Sequence, residues 1–204
     1  MEWPEPMRTN YVLIDFENLQ PELLEALDLE HFRVMVFVGA NQSRVPVGFA
    51  AQLQRLGTRA QYLRISGNGR NALDFHIAFY LGELLAKDED AFFHVIAVDG
   101  GYDPLLQHLR ERKAFVRKYT SIADIPHVKA ANSKTLPAKV SFVRDSLADR
   151  QGGKPSTTKA LESTIVGMFP GSLADDVRTG IITALEASRF LVIDGTKVTY
   201  PTAG

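Results

Sequence analysis

The chain has 204 residues, of which 45% are hydrophobic and 23% are charged, a composition that is typical of a folded globular protein and excludes a disordered one. It contains no cysteine, which excludes disulfides and thiolate-bound zinc and is typical of a reducing compartment. The net charge is only −1, but residues 1–104 carry an acidic excess and residues 105–159 a basic one. Such asymmetry often marks a surface that meets a polyanion, although an ordinary solvated surface has the same composition.

The N-terminal segment has no basic region followed by an apolar one, so no signal peptide is expected. No apolar run approaches the roughly 18 residues that a membrane helix needs. The sequence therefore predicts a cytoplasmic protein that does not enter a membrane.

Apolar strands alternate with helices over the first 120 residues. Strands are predicted over residues 11–16, 32–39, 59–65, 92–99 and 115–120. Helices are predicted over residues 21–29, 46–57, 71–87 and 103–113. Because this alternation is typical of a parallel sheet with helices on both faces, we predict an α/β fold of that kind.

The rest of the chain has a different pattern. A helix is predicted over residues 136–150, and the Gly, Pro and Ser content of residues 151–158 predicts a linker. Residues 159–201 read as helices followed by a hairpin around Gly195, an order that resembles a small winged-helix domain. We therefore predict a first domain with a basic tail over residues 1–150, the linker, and a winged-helix-like module over residues 159–204.

Four aspartates are expected at one edge of the predicted sheet. Asp15 and Asp99 end predicted strands, Asp74 lies in the first turn of a predicted helix, and Asp103 lies near the start of the next helix. In such folds the functional crevice lies outside the carboxyl ends of the strands. Carboxylates that cluster there repel one another unless a cation lies among them, and Mg²⁺ and Mn²⁺ prefer oxygen ligands. The pattern therefore indicates a divalent-metal site that could act on a phosphodiester.

Each acid also has a simpler structural explanation. Asp74 and Asp103 could cap helices, and Asp15 could cap a turn. Two neutral residues beside the acids, Asn18 and Asn71, could orient a ligand or a phosphate without adding negative charge.

Aromatic residues near the acids fall into two groups. Phe75 and Phe79, on the helix that carries Asp74, are assigned to the core. Phe16 and Tyr102 lie next to predicted site residues and are the candidates for contacts with nucleobases. His76, on the same helix as Asp74, is interpreted as a structural residue.

Three segments resemble the motifs of a PIN-like nuclease domain. They are VLIDFENL over residues 12–19, GNGRNALDFHIAFYLGEL over residues 67–84, and VIAVDGGYDPLL over residues 95–106. The resemblance covers about residues 8–120 and implies a parallel sheet flanked by helices, with divalent-metal-dependent cleavage of RNA by water.

Carried over by position, the resemblance implies roles for particular residues. Asp15, Asp74, Asp99 and Asp103 would be the catalytic and metal-binding acids, and Asn18 would be an auxiliary polar residue. The chain departs from many relatives at Ala97, where they have a serine or a threonine.

A basic segment follows the third motif. Residues 110–119 contain the candidate nucleic-acid-binding side chains Arg110, Arg112, Lys113, Arg117 and Lys118. Such side chains would contact phosphates and make binding salt-dependent, without reading the sequence of the nucleic acid. The alternative is a solvated helix face.

Taken together, the sequence predicts a ribonuclease, endonucleolytic by resemblance, with RNA as its partner and Mg²⁺ or Mn²⁺ as its cofactor. The alternative is a non-catalytic RNA-binding or adaptor protein with a PIN-like fold. A nucleotide-binding Rossmann protein is disfavoured, because the loop after the first strand has no glycine. For the C-terminal module, homodimerisation and docking of a protein partner both stay open.

Overall fold

The computed structural model describes residues 8–17, 24–148, 150, 153–169 and 173–201. The chain divides between Ile125 and Pro126 into two compact units. The first unit contains the segments that resemble the nuclease motifs. The second contains the predicted C-terminal module.

The first unit is built on a parallel sheet of five strands in the order β3-β2-β1-β4-β5. The strands are β1 (Asn10–Asp15), β2 (Phe32–Val38), β3 (Ala60–Arg64), β4 (Phe92–Ile96) and β5 (Phe115–Tyr119). Its helices are α1 (Val47–Arg55), α2 (Ala72–Lys87) and α3 (Asp103–Glu111), and short 3-10 turns lie at Leu24–Leu27, Gly57–Arg59 and Ile122–Asp124. The predicted α/β class is confirmed.

Side chains of β1 alternate between the two faces of the sheet. Leu13 belongs to a buried cluster that also contains Ile77 of α2 and Leu106 of α3. Phe16, just beyond the strand, packs on the opposite side against Phe49 of α1, with the ring centroids 4.6 Å apart. Because both faces of the central strands are covered, these strands are apolar along nearly their whole length.

The strand order fixes where a functional crevice can form. The chain winds outward through β2 and β3 and then returns to place β4 on the other side of β1. Ile14 of β1 pairs with Ile96 of β4, so the residues that follow these two strands leave the sheet side by side. In parallel sheets this reversal of winding opens a crevice at the carboxyl ends of the strands.

Three elements differ from the prediction. Of the helix expected over residues 21–29, the described part forms only the 3-10 turn Leu24–Leu27. β4 ends at Ile96, so Asp99 lies in the turn that follows rather than at the end of the strand. A helix that was not predicted, α4 (Pro126–Asn132), begins the second unit.

The second unit continues with α5 (Leu136–Ala148), α6 (Thr158–Gly167), α7 (Asp175–Ala187) and the antiparallel pair β6 (Val192–Asp194) and β7 (Lys197–Thr199). Gly195 makes the predicted hairpin turn with a φ of 59°. Helix α5 packs closely on α7, where the side chain of Leu136 lies 3.1 Å from the position that a Cβ would take on Gly180. The described part of the predicted linker, residues 153–158, lies within this unit, because the division between the two units falls at Ile125 and Pro126.

Among the described residues, no helix is both long enough and apolar enough to cross a bilayer.

A buried histidine joins the two central strands. Nε2 of His94 in β4 lies 2.8 Å from Oδ1 of Asn10 in β1, and Nδ2 of Asn10 donates to the carbonyl oxygen of Arg8 at 2.9 Å. An amide oxygen only accepts, so Nε2 carries the proton. Burial lowers the pKa of His94 to about 3, and burial likewise lowers the pKa of His31 to about 4. Both imidazoles are therefore neutral in the folded protein at neutral pH.

These histidines make stability dependent on pH. Their folded pKa values lie below the ordinary value of 6.5, so the unfolded chain binds protons that the folded chain cannot. The free energy of unfolding should therefore fall as the pH is lowered from about 6.5 towards the folded pKa values, by up to ~1.4 kcal/mol per pH unit for each histidine. Urea unfolding followed across this range measures the slope.

The variant His94→Gln should reduce that slope, because glutamine keeps an N–H donor for Asn10 but does not titrate. His108→Gln, which removes an exposed imidazole from α3, is the matched control. A slope unchanged by His94→Gln would contradict the assignment.

Candidate active site

The carboxylate of Asp15 is buried at the end of β1, with only 1% of the residue exposed. Oδ1 accepts a hydrogen bond from the backbone N–H of Glu17 at 3.1 Å, and Oδ2 accepts one from the hydroxyl of Tyr102 at 3.3 Å. A buried carboxylate without such donors would be costly to desolvate. The acid at the end of an apolar strand is thus held by the two segments that leave the sheet beside it.

Tyr102 connects Asp15 to Asp74. It precedes α3, is 2% exposed, and its side chain, whose hydroxyl proton goes to Asp15, also interacts with the carboxylate of Asp74 in the first turn of α2. Burial, together with the neighbouring carboxylates of Asp74 and Asp15, raises the pKa of Tyr102 far above its ordinary value, so the hydroxyl stays protonated and donates. The prediction that Tyr102 and Phe16 contact nucleobases is wrong, because both side chains are buried.

Asp74 and Asp99 border a small space beside Gly101. A Cβ on Gly101 would lie 3.2 Å from Oδ2 of Asp74 and 3.8 Å from Oδ1 of Asp99. Oδ1 of Asp99 also accepts a hydrogen bond from the backbone N–H of Gly101 at 3.0 Å, which fixes the turn after β4. The two carboxylates share this space because residue 101 has no side chain.

Asp103 is neutralised by a cation of the chain itself. Nζ of Lys118, in β5, lies 2.8 Å from Oδ1 of Asp103 and donates to the carbonyl oxygen of Asp99 at 2.8 Å. The lysine side chain is 18% exposed and that of Asp103 is 62% exposed, so only the lysine end of this ion pair is shielded from water. Tyr102, not Asp103, stands at the N-cap position of α3, and no side chain caps that helix.

The acids therefore differ in their availability to a metal ion. Among the residues that the structure describes, no three His, Asp or Glu side chains are grouped so that they could hold a metal ion. Mg²⁺, however, is often bound by one or two carboxylates, with water and substrate phosphate completing its shell. The pair Asp74 and Asp99, with the space beside Gly101 and oxygen donors only, fits a hard divalent cation of this kind.

Of the two asparagines that are predicted as auxiliary residues, the structure describes only Asn71. Asn18 lies outside the described residues. Asn71 precedes α2 in a left-handed conformation, with a φ of 63°, and its side chain makes no capping hydrogen bond. Asparagine tolerates this backbone conformation better than most residues, which is reason enough for its presence at the start of α2.

Side chains of α2 beyond Asp74 have mixed surroundings. Nδ1 of His76 lies 2.6 Å from the carbonyl oxygen of Ala72, and Nε2 lies 3.4 Å from the backbone nitrogen of Ser66, so this imidazole links α2 to the preceding loop. Phe75 and Phe79 are 71% and 65% exposed, and their assignment to the core is wrong. Helix α2 is apolar nearly all round, so its sequence does not distinguish the inner face from the outer one.

The basic residues of the segment 110–119 lie at two levels of the sheet. Arg110, Arg112 and Lys113 occupy the last turn of α3 and the turn before β5. That turn leads into the first residue of a parallel strand, so it lies at the edge opposite the acids. Arg117 and Lys118 belong to β5 itself. The carboxyl end of β5 lies at the same edge of the sheet as the four aspartates, which we call the acidic edge.

Three exposed arginines that the sequence reasoning did not select lie at the acidic edge. Arg64 is the last residue of β3, and its guanidinium donates to the carbonyl oxygen of Ala40 at 2.6 and 3.1 Å. Arg44 and Arg70 lie in the loops that follow β2 and β3. The signal that could have identified them is their place at the carboxyl end of a predicted strand, for Arg64, or in the loop that follows one, for Arg44 and Arg70.

Comparison with known proteins gives one match. A family model described as PIN domain matches residues 9–119, which include all four aspartates. No curated protein matches the chain, and no solved structure does. The matched region ends before the second unit, so the winged-helix-like character of residues 159–204 stays a prediction.

The space beside Gly101 can be tested with a pair of alanine variants. In Gly101→Ala the new Cβ would lie 3.2 Å from Oδ2 of Asp74, which is tighter than ordinary contact, and Mn²⁺ binding should weaken by about tenfold or more. In Gly100→Ala the nearest atom, Oδ2 of Asp103, is 3.7 Å away, so this variant is the matched control. Titration with Mn²⁺ followed by electron paramagnetic resonance measures both affinities. Equal affinities in the two variants would show that no ion binds there.

Proposed function

The chain belongs to the PIN domain family, and we propose on this basis that it is a divalent-metal-dependent ribonuclease. The observation that carries the proposal is the pair of carboxylates, Asp74 and Asp99, which border one small space at the carboxyl edge of the sheet. The crevice between β1 and β4 is where this type of sheet binds its ligands. RNA phosphodiester bonds would be hydrolysed at this point.

In this proposal the four aspartates have distinct tasks. Asp74 and Asp99 would hold Mg²⁺ or Mn²⁺, which when bound supplies positive charge to the phosphodiester and activates water. Asp15 would hold Tyr102 in place by accepting its hydroxyl proton, and Tyr102 in turn lies beside the carboxylate of Asp74. Asp103 and Lys118 keep the turn from Asp99 to Tyr102 in place.

The substrate strand would run along the carboxyl edge of the sheet. The exposed side chains of Arg44, Arg64 and Arg70 are located there and would contact phosphates through charge. The sequence-based candidates Arg110, Arg112 and Lys113 would instead bring a strand to the opposite edge. RNA bound by the first group would therefore run along the acidic edge, and RNA bound by the second group along the opposite edge.

The alternative, a non-catalytic RNA-binding or adaptor protein, is favoured by a different observation. Asp103 is already paired with Lys118, and the described part of the chain has no group of three acids around a common point. An acidic site that serves only to stabilise the fold would have these features. Cleavage assays separate the two functions.

We expect the protein to cleave RNA in the presence of Mg²⁺ or Mn²⁺ and to lose this activity after metal removal by EDTA. Asp99→Asn should lower the rate by about two orders of magnitude or more, because it replaces a negatively charged ligand of the proposed ion by a neutral amide. The amide oxygen can still accept the hydrogen bond from the backbone N–H of Gly101. A pool of structured and single-stranded RNAs is the substrate, and product length shows whether cleavage is internal.

Asp90→Asn, which removes an exposed carboxylate from the turn before β4, is the matched control for that assay. If the Asp99 variant cleaves as fast as the wild type, the proposed site is incorrect. RNA binding without cleavage by either protein would favour the adaptor function.

The path of the RNA is tested by charge reversal at the two edges. The double variant Arg64→Glu and Arg70→Glu should weaken RNA binding and reduce its salt dependence by about one to two contacts. The double variant Arg110→Glu and Arg112→Glu changes the net charge equally and should have little effect. Fluorescence anisotropy over a range of salt concentrations measures both. The reverse result would place the RNA at the edge where Arg110 and Arg112 lie.

A further inference from the structure

A second feature of the acidic edge is a polar pocket over β2 and β3. Glu17, the loops after β2 and β3 and the start of α2 line a half-open pocket of about 170 Å³. A single water needs only roughly 15 Å³, and pockets for drug-sized ligands begin at roughly 300 Å³. The cavity therefore suits one small planar group such as a heterocyclic base.

The pocket wall is formed largely by side chains that can donate or accept hydrogen bonds. One carboxylate and three side-chain amides line it, contributed by Glu17, Asn41, Gln42 and Asn68. Nδ2 of Asn68 donates to Oδ1 of Asn41 at 3.3 Å. The amide group Nδ2 of Asn41 and the amide oxygen Oδ1 of Asn68 are then available to a ligand. Oε1 of Gln42 is buried and has no hydrogen-bond partner among the described residues.

The charge of the wall argues against a phosphate in this pocket. No Lys or Arg occurs among the described residues that line it, and Glu17 would repel an anion. Gly67, with a φ of 78°, belongs to the loop that forms one side, so a flat ligand could approach this backbone closely. A neutral group with hydrogen-bond donors fits these surroundings.

The pocket and the acidic site are built on the same two segments. Glu17 follows Asp15 by two residues, and Ala72, also in the pocket wall, precedes Asp74 by two. A strand whose phosphate lies at Asp74 and Asp99 could therefore place a neighbouring base in the pocket. This step depends on the nuclease function proposed above.

We infer that this pocket binds a guanine base of the substrate, with the carboxylate of Glu17 as the acceptor. A carboxylate accepts two hydrogen bonds side by side, and guanine is the base whose Watson–Crick edge has two adjacent donors, N1–H and N2–H. Adenine, cytosine and uracil each set an acceptor beside a donor on that edge. Single-stranded RNA exposes this edge, which sequence-specific proteins read by hydrogen bonding.

The first experiment measures nucleoside binding in EDTA, so that neither a metal nor a phosphate contributes. Guanosine, adenosine, cytidine and uridine are titrated into the full chain, and the side-chain amide signals of Asn41 and Asn68 are followed by NMR. We expect guanosine to shift these signals and to bind about tenfold more tightly than the other nucleosides. Glu17→Gln should abolish the preference, and Glu89→Gln, which removes an exposed carboxylate outside the pocket, should retain it.

The outcomes separate this inference from the proposed function. Equal binding of all four nucleosides, or a preference that Glu17→Gln leaves unchanged, would overturn the assignment of guanine to Glu17. Guanosine binding with no RNA cleavage under any metal condition would support the pocket and refute the nuclease. Cleavage with no base preference beside the cut and no NMR shift would support the nuclease and refute the pocket.

Discussion

The buried carboxylate of Asp15 is the constraint on which the arrangement of this edge depends. A charge at the end of a central strand is stable only if donors replace the water it has lost. The donors come from the loop after β1 and from Tyr102, so three segments that are distant in the sequence must meet there. Tyr102 also lies beside Asp74, so the residue that donates to Asp15 links β1 to the start of α2. The hydrogen bonds that the buried carboxylate of Asp15 requires therefore bring these segments together at the site.

The remaining acids are arranged around that fixed point by backbone geometry and by one lysine. Gly101 leaves the space that Asp74 and Asp99 share, and Lys118 holds the turn between Asp99 and Asp103 from the neighbouring strand. A cation of the chain thus balances part of the negative charge, which lowers the mutual repulsion that four carboxylates at one edge would otherwise have. The proposed ion would balance the part that is left at Asp74 and Asp99.

The sequence predicted the five strands and a parallel sheet with helices on both faces, because strands and helices have different hydrophobic periods. It also predicted that the four aspartates lie at the carboxyl edge of the sheet, because parallel strands end at the same edge. It did not predict side-chain partners, which depend on contacts between distant segments. The pairing of Lys118 with Asp103 joins β5 to the turn after β4, and no pattern within one segment shows it. Phe75 and Phe79 were misassigned because α2 is apolar on its exposed side too. Arg110 and Arg112 are close to Asp103 in sequence, but one helix length separates them from the acidic edge.

The position of each feature across the sheet has a dynamic consequence. The carboxylates stand over β1 and β4, which have a hydrogen-bonded neighbour on both sides, whereas the polar pocket reaches over to β3, which pairs only with β2. A strand on the outside of a sheet, such as β3, loses its backbone hydrogen bonds through local opening more readily than a central strand does. Its amide hydrogens therefore exchange faster. The groups proposed to react therefore rest on the central strands, and the groups proposed to bind a base reach over the outermost strand, which opens more readily. Mutations at that margin could change which ligand is accepted while the geometry of the acids is preserved.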